Sequence, residues 1–243
     1  MTIAFPKGRY SARLAQGQTD VLACQRLRYL CFFGGEGVDV DAFDITCDHM
    51  MIHDQETAQL VCTFRLLHLD SGAEINKSYA AQYYDLAGLS SEDIGLIEIG
   101  RFCCDPKILS PDVLRIAWAA LTQIVDESGA KMLFGCSSFA GVDPAPYSAA
   151  LGTLGARHLG AGNILPSKKS SEIIELADFP CAPRDAMRQM PPLLKTYLSM
   201  GGWVGDHVVV DRTMNTLHVF TGLFIKDVPE HRAKALRALV QTL

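Results

Sequence analysis

Apolar spacing in the N-terminal part of the chain predicts a helix followed by a β-hairpin. Apolar residues recur with a helical period from Thr19, the expected N-cap, to about Phe33, and the glycine-rich run 34–37 ends the helix. Residues 50–53 and 59–69 alternate between apolar and polar around a short turn, which is typical of two antiparallel strands.

The middle of the chain adds a strand, a helix and a second strand. Residues 96–103 form the first of these, Ser110 and Pro111 supply the N-cap and first position of the helix, and Gly129 ends it. The apolar run 131–137 is typical of a buried strand. This order predicts an α/β fold in which a crossover helix joins two parallel strands of a mixed sheet. Further segments are predicted as a helix at 191–200, strands at 203–210 and 217–224, and a helix at 229–240.

Composition supports one domain spanning residues 1–243, with a C-terminal extension at about 182–243. Hydrophobic residues make up 49% of the chain and charged residues 20%, which excludes a disordered protein. The net charge of −5 argues against nucleic-acid binding. The extension has eight basic and five acidic residues, or +3, so its charge suits an acidic partner.

Cysteine usage and hydropathy predict a cytoplasmic protein. The eight cysteines lie mostly in apolar runs and contain no Cys-x-x-Cys pair. We expect reduced core thiols and no metal site. The N-terminus lacks the apolar core of a signal peptide, and the longest apolar stretch, 113–125, is interrupted by Arg115, so no membrane span is expected.

The strand at 96–103 carries the strongest candidate for chemistry. Strict alternation places Glu98 and Gly100 on one face and Arg101 on the other, unless a bulge resets the register near Gly100. A glutamate among isoleucines is costly to bury without a partner. Two interpretations remain open: an ion pair with Arg101 or Arg65 and no chemistry, or a general base.

Several short sequences in combination resemble the Gcn5-related N-acyltransferase fold, and within it the ornithine lipid synthesis N-acyltransferases. They are 28-RYLCFF, 43-FD with 47-CDH, 62-CTFRLL, 98-EIGRF, 134-FGCSSF, 191-PPLLK and 201-GGW. The resemblance covers about residues 10–225. It implies a mixed central sheet with flanking helices, and transfer of a 3-hydroxyacyl chain from acyl-[acyl-carrier-protein] to the α-amine of L-ornithine, which gives lyso-ornithine lipid. The acyl-homoserine-lactone synthases are more distant relatives.

The resemblance also implies site residues. The expected base is Glu98, with Arg101 beside it; Arg65 and Arg101 suit a substrate carboxylate, while Asp44 and Asp48 suit the side-chain ammonium. Arg28 belongs to the same pattern, although a structural tie between the first helix and the acidic loop is its expected role. The acyl donor is expected to meet Phe102, Cys103, Cys104, Cys136 and Ser137, where backbone amides would hold the oxyanion. In family members an aliphatic residue is usual at the position of Cys104 and an acidic residue is common at that of His218.

The connection 105–111 contains no glycine, unlike the pyrophosphate loop of acetyl-CoA-dependent members of this fold. This favours the phosphopantetheine thioester of acyl carrier protein as donor, with no tightly bound cofactor. Carrier protein, or the cytoplasmic face of the inner membrane, is the expected partner of the basic C-terminal stretch. The alternatives are acyl-homoserine-lactone synthesis from S-adenosylmethionine, acylation of another amino acid, and a non-catalytic carrier-binding protein.

Overall fold

The computed structural model of the protein describes residues 2–3, 8–108 and 110–241. The strands of this part of the chain are β1 (Thr2–Ile3), β2 (Tyr10–Leu14), β3 (Asp48–Asp54), β4 (Leu60–Leu69), β5 (Tyr84–Asp85), β6 (Leu96–Cys104), β7 (Met132–Ala140), β8 (Ser167–Lys168), β9 (Ile173–Glu175), β10 (Trp203–Asp211) and β11 (Thr216–Phe224). The α-helices are α1 (Gln18–Phe33), α2 (Pro111–Ser128), α3 (Ser148–Arg157), α4 (Pro183–Gln189), α5 (Pro192–Ser199) and α6 (Glu230–Gln241). The helices and strands expected from the sequence are all present.

Helix α1 begins differently from the prediction. Its N-cap is Gly17, with φ of 85°, and no side chain caps the helix, so the expectation for Thr19 is wrong. Asp20 explains the difference, because its carboxylate accepts a hydrogen bond from the Gln16 amide at 2.7 Å and pairs with Arg13. The glycine-rich run ends the helix as predicted, with Gly34 at the C-cap.

Helix α2 follows its sequence signals closely. The Ser110 hydroxyl accepts a hydrogen bond from the Asp112 amide, and Pro111 occupies the first turn. Gly129 ends the helix with φ of 70°, the left-handed conformation that glycine adopts without strain.

The described residues divide into two compact units. The first is formed by the described residues within Met1–His68, Ile99–Gly129 and Glu230–Leu243, and the second by those within Leu69–Glu98 and Ala130–Pro229. In the first unit β1, β2, β3 and β4 pair antiparallel in that order, and the Ile99–Cys104 part of β6 lies beside β4. The β3–β4 hairpin confirms the prediction. Helix α2 packs on β2 and β3, and α6 packs on α2.

The second unit contains the mixed sheet. Leu96–Glu98 of β6 pairs parallel with Met132–Phe134 of β7, as the crossover argument predicted. Strands β7, β11, β10 and β9 then pair antiparallel. One face of this sheet is covered by α3, α4 and α5, around a core that includes Leu154, Leu194 and Val219. Nothing in the sequence patterns identified α3, α4 or the short strands.

Candidate active site

A buried ion network ties the loop after α1 to the helix. The Arg28 side chain is fully buried, and its Nε donates to Asp39 Oδ2 at 2.8 Å. Its Nη1 and Nη2 donate to the two oxygens of Asp44 at 2.8 and 3.0 Å. Gln25, one turn earlier on α1, donates to Asp44 Oδ2 at 2.8 Å. The polar face of α1 is therefore turned inward.

Two further arginines of the first unit join the same carboxylates. Arg65 on β4 donates to Asp44 Oδ1 at 3.0 Å and also pairs with Asp41. Arg101 on β6 donates to Asp39 Oδ2 at 3.1 Å and to Asp41 Oδ2 at 3.2 Å. Arg101 has φ of 51°, in the left-handed region, which interrupts regular strand geometry close to the position where a bulge was considered.

Ion pairing in the network lowers the pKa of two of its carboxylates, Asp44 and Asp41. Burial alone would raise the pKa of Asp44, but hydrogen bonding and charge from Arg28, with Gln25 and Arg65, hold that pKa well below its usual value. Burial is likewise outweighed for Asp41, where Arg65 and Arg101 lower the pKa. Three guanidinium groups thus face three carboxylates, so the formal charges of the network balance.

Asp48, expected to share the substrate ammonium with Asp44, is placed differently. It opens β3, its side chain is 55% exposed, and it lies 3.5 Å from His68 Nε2. The role of Asp48 in binding substrate remains a prediction.

Glu98 lies in the second unit, at the last residue pair of the parallel β6–β7 ladder. Its side chain is 4% exposed. The carboxylate accepts hydrogen bonds from the backbone amides of Tyr79 at 2.8 Å and Ala80 at 2.7 Å, where a short 3-10 helix begins. These charge-assisted bonds stabilise an ionised carboxylate and fix its orientation.

The residues expected to meet the acyl donor occupy both units. In the first, the Phe102 ring stacks on Phe64 with centroids 5.1 Å apart, Cys103 is buried, and the Cys104 carbonyl accepts from Cys31 Sγ at 3.3 Å. In the second, Cys136 lies on β7 opposite Phe220, and Ser137 accepts a hydrogen bond from the Thr221 hydroxyl at 2.9 Å. Their contact with a donor stays a prediction.

The sequence analysis missed several residues of the ion network and the hydrogen-bond donors to Glu98. Asp39, Asp41 and Gln25 belong to the ion network, and the backbone amides of Tyr79 and Ala80 bind Glu98. The alternation Val-Asp-Val-Asp at 38–41 is the signal that indicates two carboxylates on one side of an extended loop. In the described part of the chain, no group of three or more His, Cys, Asp or Glu residues is arranged to hold a metal ion.

Comparison with known proteins defines the class of enzyme. Residues 32–119 match the protein-family model described as an acetyltransferase (GNAT) domain. An N-acyl amino acid synthase from uncultured soil microbes has a similar structure, with a TM-score of 0.53 and 14% identity over 90% of this chain and 93% of that one. The chain therefore has the Gcn5-related N-acyltransferase fold, as the resemblance implied.

Sequence relatives define the family. The chain is 34% identical to an L-ornithine N(alpha)-acyltransferase of Rhodobacter capsulatus over 227 residues, which cover 86% of this chain and 88% of the relative. It is 28% identical to an L-ornithine N(alpha)-acyltransferase of Brucella abortus, over 91% of this chain and 86% of the relative. The chain belongs to the L-ornithine N(alpha)-acyltransferase family.

Proposed function

We propose that this acyltransferase moves a 3-hydroxyacyl chain from acyl carrier protein to the α-amine of L-ornithine, the first step of ornithine lipid biosynthesis. The observation that carries the proposal is the match to the Rhodobacter capsulatus enzyme along most of both chains. The product, an N-acyl amino acid, is lyso-ornithine lipid.

Glu98 is the proposed general base. The α-ammonium of ornithine first loses a proton to Glu98, directly or through one water, because an ammonium has no lone pair for attack. The freed nitrogen then forms a bond to the thioester carbon, and the carbon–sulfur bond breaks. The second proton of the attacking nitrogen passes to the leaving sulfur, so that the carrier departs as the thiol, and Glu98 returns its proton to water. The two amides that hold Glu98 support this role, since they fix an ionised carboxylate in one orientation.

The arginine–aspartate network is proposed to shape the acceptor side of the site. An ornithine carboxylate that binds Arg101 would share the guanidinium with Asp39 and Asp41, which already accept hydrogen bonds from it. Arg65 is likewise shared with Asp41 and Asp44. If Arg65 or Arg101 contacts substrate, its guanidinium group is already oriented and its charge already balanced by the aspartates.

A carrier-bound donor is favoured over free acyl-CoA by the connection between β6 and α2. That connection, of which residue 109 lies outside the described residues, has no glycine to bring backbone amides close to a pyrophosphate. The basic residues of the C-terminal region supply the sign that an acidic carrier requires, although Arg237 pairs with Asp126 and Lys234 with Glu230.

Product analysis by mass spectrometry tests this function. The purified protein is incubated with 3-hydroxyacyl-carrier protein and, separately, ornithine, lysine, glutamine or S-adenosylmethionine, with acyl-CoA as the parallel donor. We expect N-acyl-ornithine that depends on the carrier. A lactone product, a preferred acceptor other than ornithine, or no product with any pair would overturn the proposal.

A further inference from the structure

The loop between α1 and β3 has an inverted pattern of burial. Two of its aspartates are buried, with Asp39 7% and Asp44 9% exposed, and the side chain of the third, Asp41, is 22% exposed. Its apolar residues point outward: Val38 is 42%, Val40 65% and Ile45 91% exposed. Together with Phe33 at the end of α1, at 46%, they are four of the six large apolar side chains exposed in the described part of the chain. We call Phe33, Val38, Val40 and Ile45 the apolar loop surface.

The ion network accounts for the inversion. Arg28 and Arg101 hold Asp39, Arg65 and Arg101 hold Asp41, and Arg28 and Arg65 hold Asp44. In the alternating run 38–41, drawing the aspartates inward turns the valines outward. The loop is acidic in sequence, but its outer face is mainly apolar. Glu36 is the exposed charged residue between Phe33 and Ile45.

The size of this surface limits what can cover it. At roughly 100 Å² for each partly exposed large apolar side chain, the four residues present on the order of 400 Å². That is about half of the ~800 Å² that each partner contributes to a standard protein interface, so a stable dimer would need more than these residues. It is ample for shallow insertion into a lipid surface, where apolar side chains alone supply the driving force.

We propose that the apolar loop surface inserts into the interfacial layer of a lipid bilayer and docks the enzyme there. The proposed function supplies only the reason for such binding: the product, an N-acyl amino acid with a long chain, partitions from water into a bilayer. Charge supports this occupant. Of the aspartates that an anionic headgroup would repel, Asp39 and Asp44 are buried, and Asp41, with a side chain 22% exposed, is paired with Arg65 and Arg101. An acidic carrier protein would find Glu36 but no exposed cation on the loop between Phe33 and Ile45.

Vesicle co-sedimentation with the full chain tests the proposal. One set of vesicles is pure phosphatidylcholine, which has no net charge, and a second set contains anionic phosphatidylglycerol. Binding to each set is measured at low and at high salt without substrates. We expect binding that salt does not weaken, and an apparent partition coefficient at least about tenfold lower for the double variant Val40→Ser/Ile45→Ser. Met187→Ser is the matched control, because Met187 is 56% exposed in the second unit and lies outside the loop.

Each other outcome has a definite meaning. If the wild type does not sediment with neutral vesicles, or the double variant binds as well as the wild type, the proposal is wrong. If binding requires anionic lipid and disappears at high salt, basic residues rather than this loop make the contact. If the double variant has a raised KM for acyl carrier protein in vesicle-free acyl transfer, the loop docks the carrier instead. Binding is read without turnover, so failure of the proposed function would not be mistaken for failure of this inference.

Discussion

Arg28 Nε and Asp39 Oδ2 lie 2.8 Å apart with both side chains buried, so a helix and the loop that follows it share one desolvated ion pair. A buried charge that loses its partner is far more costly than an exposed one, because neither water nor another ion compensates it. This contact makes the position of the loop depend on α1.

Arg28→Ala is therefore expected to destabilise the fold strongly. It leaves Asp39 and Asp44 without one of their cations, and removal of one partner from a buried pair costs about 3–5 kcal/mol. Urea unfolding measures the change in free energy. Arg26→Ala is the matched control on the same helix, since Arg26 is exposed, and a change below about 0.5 kcal/mol is expected there. A loss below about 1 kcal/mol for Arg28→Ala would show that the network is not needed for stability.

The sequence was sufficient for regular elements whose signals are local. Ser110, Pro111 and Gly129 delimit α2 because caps and breakers act through neighbouring backbone groups. The β3–β4 hairpin was predicted from the alternation of apolar and polar residues. The parallel pairing of β6 with β7 was predicted from the helix that connects them. The prediction of Thr19 as N-cap was wrong because Gly17, with its positive φ, and the side chain of Asp20 determine where α1 begins.

The site was less predictable because its contacts join residues far apart in the chain. The sequence indicated four charged site residues, Arg28, Asp44, Arg65 and Arg101. Their ion pairs depend on the packing of α1, β4 and β6, which no local pattern shows. The partners of Glu98 are backbone amides, which carry no residue-type signal. Exposure of Val40 and Ile45 reverses the usual pattern and could not be read from hydropathy.

Glu98→Gln is expected to lower kcat by about 10²–10⁴-fold, because the amide cannot accept a proton from the ammonium. The two backbone amides donate to different oxygens of Glu98, so glutamine keeps one of these hydrogen bonds and loses the other, at a cost of about 1–3 kcal/mol. The fold and the binding of acyl carrier protein should persist. Single-turnover acyl transfer measures the rate, and titration with labelled carrier measures binding. Unchanged turnover at any pH would remove Glu98 from the role of base.

His218 is expected to make the second unit sensitive to acid. Burial, opposed by the charge of Asp211 and assisted by that of His207, lowers its pKa from 6.5 to about 4. The unfolded state binds the proton first, so stability should fall as pH decreases from about 6.5 to about 4 and level off below. A shift of this size corresponds to about 3 kcal/mol.

Urea unfolding at several pH values checks this expectation. His218→Gln removes the titrating group and should flatten the slope of unfolding free energy against pH between about 4 and 6.5. His231→Gln, at an exposed position on α6, is the control. Parallel slopes for the wild type and His218→Gln would show that other buried histidines, such as His49, cause the acid sensitivity.

Charge reversal on α6 should separate carrier docking from chemistry. Arg232→Glu/Lys234→Glu is expected to raise KM for acyl carrier protein about five- to tenfold at low salt, because like charges then meet across the encounter surface. The rise of KM with salt should become flatter than in the wild type, since salt then screens a repulsion instead of an attraction. Transfer from a small acyl-pantetheine thioester should be unaffected, since that donor lacks the acidic protein surface. The ion pairs of this helix are exposed, so stability should change by less than about 1 kcal/mol. Arg26→Glu on α1 is the control for total charge. An equal rise in KM for that control, or a matching loss with acyl-pantetheine, would argue that α6 does not receive the carrier.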